Sequence, residues 1–233
     1  MAVDGKLAGR GFEGKTLEVA KLDRLQKYKH VMWDWNGTLV NDVTFSIDVI
    51  NKILLRRGMN TINYDYYREI FGFPIKDYYK RLGFTYENET FEIVADEFMH
   101  EYNQHSCTCK LHDGVENILR KISDANIQQY ILSAMSEVEL KRVVKEMNID
   151  SHFYRIIGLR NNYAESKVDA GKAFINEMEL KAEEVVLIGD TVHDYEVAQE
   201  LGCDCILVSE GHQSTSRLKQ LNITVIDTIT DLL

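Results

Sequence analysis

The chain contains one proline, Pro74, in 233 residues. Pro-rich linkers and polyproline segments are thereby excluded, so composition marks no domain boundary. No apolar run approaches the roughly 18–20 residues of a membrane-spanning helix. The opening segment MAVDGKLAGRGFEGKTLEVAK also lacks the apolar stretch of about 7–15 residues found in secretory leaders, so a cytoplasmic location is expected. Cysteine is sparse: four residues form two Cys-x-Cys pairs, Cys107/Cys109 and Cys203/Cys205. Neither pair has the two-residue spacer common in zinc sites, and buried or free thiols are expected. Positive charge is in deficit, with Lys+Arg 27 against Asp+Glu 37 and a net charge of −10. Its even spread disfavours nonspecific binding to nucleic acid or an anionic membrane, and a small anionic substrate would need a local positive trap.

Hydrophobic content of 45% and charged content of 27% describe a globular chain long enough for a large core. His30–Asp34 is a short apolar run punctuated by Asn36-Gly37, the pattern of a buried strand ending in a tight turn. From Val43 the period changes. Val43, Ile47, Ile50 and Leu54 recur at helical spacing before Gly58, and helix-like segments rich in Tyr and Phe continue to about Glu101. The remainder alternates. Strands are expected at 127–133, 155–159, 185–188, 205–208 and 224–226. Helices are expected around 140–147, 170–178 and 194–201, with Ser136-x-x-Glu139 as a capping box. Such alternation predicts a parallel sheet covered on both faces, with the all-helical interval inserted after its first strand.

Ligands bind outside the carboxyl ends of the strands in sheets of this kind. Asp34, Ser133, Lys167 and the run Gly189-Asp190-Thr191-Val192-His193-Asp194 lie at or after successive strand ends, and their chemistry is complementary. A carboxylate can attack phosphorus, a hydroxyl and an ammonium can hold phosphoryl oxygens, and further carboxylates can hold Mg²⁺. Taken singly, each has an ordinary explanation: a turn at Asn36-Gly37, a loop hydroxyl at Ser133, a solvated Lys167, a helix N-cap at Asp190 or Asp194. The ordered set is what carries the signal.

Over about residues 29–233 that set resembles the haloacid dehalogenase superfamily of phosphohydrolases, within it the phosphoglycolate phosphatase-like group with a helical cap. Asp34-Trp35-Asn36-Gly37-Thr38-Leu39 is similar to the family's first motif, Ser133 to its second, Lys167 to its third, and Gly189-Asp190 with Asp194 to its fourth. Phe71-Gly72-Phe73-Pro74 resembles the Gly-x-Pro segment of the cap. The resemblance implies a Rossmann-like parallel core at 29–42 and 112–233, a cap at 43–111, and an unassigned extension at 1–28. It also implies roles: Asp34 as nucleophile, Thr38, Ser133 and Lys167 as phosphate holders, and Asp34, the Asn36 carbonyl, Asp190 and Asp194 around Mg²⁺. Lys172 competes for the lysine role, but Lys167 fits the spacing better. A small phosphorylated substrate is implied, and a homodimer is left open.

At the position of Asn36 the family's phosphatases carry an aspartate that protonates the leaving group and then activates water. Asparagine keeps the shape and does neither. General acid–base help of this kind is worth roughly 10²–10⁴ in rate. Three readings follow: a phosphatase whose leaving group needs no acid, or in which His193 or His212 supplies the proton; a slow protein that binds a phosphorylated ligand or regulates; or an isosteric substitution of an aspartate. Tyrosines and Arg68, Lys76, Lys80 and Arg81 of the cap offer contacts to an anionic or hydroxylated leaving group, though helix packing accounts for most of the aromatics.

Overall fold

The structure, a computed structural model, describes residues 22, 24–159 and 166–233, with the backbone alone at Cys107. β1 (His30–Trp33) leads through a turn to β2 (Val40–Asn41) and then into four helices: α1 (Val43–Arg56), α2 (Tyr64–Ile70), α3 (Ile75–Leu82) and α4 (Phe91–His105). β3 (Lys110–Leu111) returns antiparallel to β2, so a two-stranded stem closes the helical insertion. The rest alternates through α5 (Val115–Asp124), β4 (Gln128–Ser136), α6 (Glu137–Glu146), β5 (Arg155–Leu159), α7 (Lys167–Glu177) and β6 (Val185–Gly189). α8 (Val192–Leu201), β7 (Asp204–Val208), the single-turn α9 (Thr215–Leu218) and β8 (Thr224–Ile226) complete it.

Six parallel strands form one sheet in the order β5-β4-β1-β6-β7-β8. Chain order reverses between β1 and β6, and the crevice at such a reversal is where open parallel sheets place ligands. The sequence explains why these strands are central. HVMW and VVLIG are nearly continuous apolar runs, as burial on both faces requires. Alternation then sorts the side chains. Val31, Trp33, Ile131 and Val186 enter the core on one face, and Met32, Tyr130, Leu132 and Leu187 the core on the other. A third core, built on Ile47, Ile50, Ile53, Tyr67 and Tyr79, belongs to the inserted helices.

Two expectations meet corrections. Ser136 makes no side-chain cap bond, because it still pairs with Leu159 as the last residue of β4, while Glu139 is engaged by Arg142 at 2.9 Å. Capping boxes form instead at Ser166/Asp169, Thr191/Asp194 and Thr228/Asp231, so Thr191 is the N-cap of α8. The extension 1–28 lies outside the described residues except for 22 and 24–28, where Leu25 and Tyr28 are buried in the main core. Tyr28 also donates to Asp204 at 2.7 Å. Cys203 and Cys205 are free thiols. Among the described residues no helix is long and apolar enough to cross a membrane.

Candidate active site

Asp34 continues the β1 ladder, its N–H donating to the Ile188 carbonyl at 2.8 Å, and so leaves the sheet at the crevice between β1 and β6. The chain then turns sharply at Gly37, where φ is +73° and a Cβ would collide with Asp190 and His212. Only glycine meets both demands. That turn sets the Thr38 hydroxyl 3.1 Å from Asp190 Oδ1 and 3.5 Å from Asp34 Oδ2. Asp190 follows β6 directly, fully buried, and accepts the His212 N–H at 2.6 Å. Lys167, the first residue of α7, is buried and bridges Asp34 Oδ1 at 2.5 Å and Asp194 Oδ1 at 2.6 Å. The other oxygen of Asp194 takes the Asp190 and Thr191 N–H groups and the Thr191 hydroxyl. Lys172, the competing lysine, is exposed on Glu200 at 2.7 Å.

Asp34, Asp190 and Asp194 thus form one buried cluster, with a carboxylate oxygen of each within 4.8 Å of the others. Lys167 is the ammonium bound to it. Burial opposes the charge on Asp194, but Lys167 outweighs it and holds this carboxyl below its ordinary range. The same burial, against the pull of Lys167, lifts Asp34 to about 6. For Asp190 burial is joined by the fields of Asp194 and Asp34, with His212 opposing, and the carboxyl is pushed up to about 8. Burial likewise opposes the charge on Lys167, yet Asp194 and Asp34 lift it above its usual value. An under-neutralised set of hard oxygen donors is chemically suited to a small divalent cation such as Mg²⁺.

Asn36 faces away from that cluster. Its amide donates to Asp42 Oδ2 at 2.8 Å and to the Tyr102 hydroxyl at 2.6 Å, while Tyr102 also donates to Asp42 at 2.7 Å. Asp42 Oδ1 accepts the Gly37 N–H at 2.8 Å and lies 3.2 Å from His212 Nε2, whose Nδ1 is 2.8 Å from the Tyr67 hydroxyl. Burial opposes charge on both Asp42 and His212, but each outweighs it for the other. Asp42 is held below the carboxylate range and His212 is lifted to about 9. Sequence reading missed this network. Asp42 stands where a helix N-cap belongs, yet it makes no cap bond to α1 and turns inward. His212 stands in a loop whose position only the fold reveals.

Over the cluster lies a cavity of ≈ 450 Å³ between the inserted helices and the sheet edge. Ser133, Lys167, Asp34 and Asp190 line its floor, and aromatic residues of the helices line its roof. Ser133 is buried, its hydroxyl accepting the Met135 N–H at 3.1 Å. Thr38 is not among the lining residues, since its hydroxyl is turned to the carboxylates. His193 does not point away into solvent. Its ring lies on Phe73, with centroids 4.6 Å apart, at the cavity wall. Arg68 fastens α2 to the core, donating to the carbonyls of Ser209, Gly211 and Gln213.

A family model described as haloacid dehalogenase-like hydrolase matches residues 31–208. Among curated proteins, the tyrosine-protein kinase PtkA of Mycobacterium tuberculosis is 23% identical over 198 residues, spanning 84% of this chain and 67% of that protein. Among solved structures, a haloacid dehalogenase-like hydrolase from Bacteroides fragilis aligns with a TM-score of 0.77 at 18% identity, covering 88% of this chain and 100% of the other. A predicted phosphatase from Clostridium acetobutylicum aligns with a TM-score of 0.75 at 19% identity, covering 88% and 96%. At these identities the structural likenesses speak for the fold.

Proposed function

Because this chain belongs to the haloacid dehalogenase-like hydrolases, we propose that it hydrolyses a small phosphomonoester through a phosphorylated Asp34. The carrying observation is Lys167. Its ammonium is buried and ties Asp34 to Asp194 beside Asp190, at the chain reversal of the sheet. A surface lysine would not be held between two buried carboxylates.

Asp34 is the nucleophile in this reading, attacking phosphorus in line with the leaving oxygen. Lys167 and the Ser133 hydroxyl hold the phosphoryl oxygens in place, while the Thr38 hydroxyl, outside the cavity lining, steadies Asp34 and Asp190 rather than the phosphoryl group. Asp34, Asp190 and the carbonyl of Asn36 would hold Mg²⁺, with Asp194 orienting Lys167 and the backbone of Asp190. When bound, the ion supplies positive charge that offsets repulsion between carboxylate and phosphoryl group. The inserted helices act as a cap that keeps water from the aspartyl phosphate until the leaving group has gone.

A second reading, retention of a phosphorylated ligand with little turnover, is favoured by one feature. The Asn36 side chain is already committed to Asp42 and Tyr102 and carries no acid. Phosphate release from a panel of small phosphomonoesters, with and without Mg²⁺, separates the two. The hydrolase reading expects Mg²⁺-dependent turnover that Asp34→Ala abolishes. Saturable binding of the same esters without turnover would favour retention.

A further inference from the structure

We propose that the cavity takes an aryl phosphate, a phosphomonoester whose leaving group is an uncharged phenol. This rests on the hydrolase reading above and names the substrate class of that same site.

The first observation is the wall. Phe71, Phe73, Phe91, Phe98, Met99 and Met135 surround the space above Asp34. Its volume of ≈ 450 Å³ compares with the roughly 150 Å³ of an apolar cavity that holds benzene. A phosphoryl group and one ring fit together. The second observation is charge. Among the described residues lining the cavity, Lys167 is the one lysine and no arginine appears, while Glu92 and Asp96 stand on the same wall. The cap's own cations are used elsewhere. Arg68 is spent on core carbonyls, Arg81 donates to the Ile70 carbonyl at 2.9 Å, Lys80 pairs with Asp77 at 3.0 Å, and Lys76 lies over the Tyr86 ring. A leaving group bearing a carboxylate, as in phosphoglycolate, would face two acidic side chains, and the histidines of the lining are already engaged, His212 by Asp42 and Tyr67 and His193 by Glu196 and the Phe73 ring. One polar substituent on the ring is provided for. The Tyr78 hydroxyl is buried, with no hydrogen-bond partner among the described residues, and its residue lines the cavity.

The third observation is Asn36, which has no proton to give the departing oxygen. His212 does not replace it, since both ring nitrogens are taken by Asp42 and Tyr67, and Asp42 is itself met by four donors. A leaving group that departs as the anion is therefore favoured. A phenol ionises near pKa ~10, whereas an alkanol is a far weaker acid, close to water. The step balances without an acid. Asp34 forms a bond to phosphorus as the bond from phosphorus to the aryl oxygen breaks, and that electron pair leaves on the phenolate, which takes its proton from bulk water. A water oxygen then bonds to phosphorus as the bond to Asp34 breaks. The pair returns to the carboxylate, and the protons of that water remain with the released phosphate.

The test uses the full chain with Mg²⁺ and measures kcat/KM for ring-substituted phenyl phosphates, cyclohexyl phosphate and phosphoglycolate. The expected result is a steep fall with leaving-group pKa, and phenyl phosphate above the other two by about 10²–10⁴, the size of the missing acid catalysis. Met99→Lys, at a half-exposed wall position, is expected to narrow the gap to phosphoglycolate by about tenfold by supplying the absent cation. Preference for phosphoglycolate or cyclohexyl phosphate, or a flat dependence on leaving-group pKa, in a reaction that Asp34→Ala still abolishes, would overturn the aryl assignment and leave the hydrolase reading standing. Absence of Mg²⁺-dependent turnover on every ester, with Asp34 unmodified, would overturn both.

Discussion

At Asn36 an amide does what a carboxylate could not. Asp42 is buried and receives Asn36, Tyr102, Gly37 and His212, so the neighbour at 2.8 Å has to be a donor. An ionised aspartate there would set two carboxylates against each other out of water. Asn36→Asp is accordingly expected to cost about 1–3 kcal/mol, a fall in Tm of roughly 2–12 °C for a domain of this size, read by thermal unfolding. Asp190 makes the complementary case for the metal. Its pKa is raised from 3.8 to about 8 by burial among like charges. Stability from a raised pKa is present below the lower value and lost as pH rises through the upper one, so the metal-free fold weakens as pH climbs toward 8. Protons compete with a cation for the same oxygens. The rise in Tm on adding Mg²⁺ should thus be larger at about pH 8.5 than at about pH 6, in wild type and not in Asp190→Asn. Asp34, Lys167, Asp190 and Asp194 were legible because each stands at a strand end or helix start in the sequence itself. Asp42 was not, and His212 was legible as a proton source but not as the partner of Asp42, because the two lie 170 positions apart and neither stands in a periodic pattern.

Among the elements, the central strands could be read because burial on both faces forces continuous apolar runs, and β5 falls where its pattern places it. The α6 start could not. Ser-x-x-Glu is a local signal, and the strand pairing of Ser136 with Leu159 overrides it. Leu22, Leu25 and Tyr28 are buried within a charged stretch too short for their spacing to stand out in the sequence. In the cap, Arg68 looked like a ligand for an anion and is instead the tie between α2 and the loop 209–213. α2 also brings Tyr67 onto His212 and Phe71 into the cavity wall. Arg68→Ala leaves three carbonyls short of a donor and loosens that wall. Steady-state kinetics should show KM raised about tenfold, the worth of one charged hydrogen bond, with kcat changed less. Hydrogen exchange in 64–83 should quicken at the same time.

For the whole molecule, a net charge of −10 is compatible with an anionic substrate only because the cavity floor carries a local positive charge, Lys167. Inside it, Lys167 and the bound cation would meet the phosphoryl group, while apolar walls meet the remainder. The sheet contributes the reversal between β1 and β6, the inserted helices contribute the aromatic wall of the cavity, and the loop 209–213 joins the two through Arg68 and His212. Asp34, Lys167 and the cavity lining come from segments far apart in the chain that only this topology unites.

The most direct measurement is mass analysis of peptides after acid quench of the full chain during turnover of phenyl phosphate with Mg²⁺. One phosphoryl group on the peptide containing Asp34, absent without Mg²⁺ and absent in Asp34→Ala, is the expected result. Steady turnover with Asp34 never modified, or with the phosphoryl group on another residue, would contradict the mechanism.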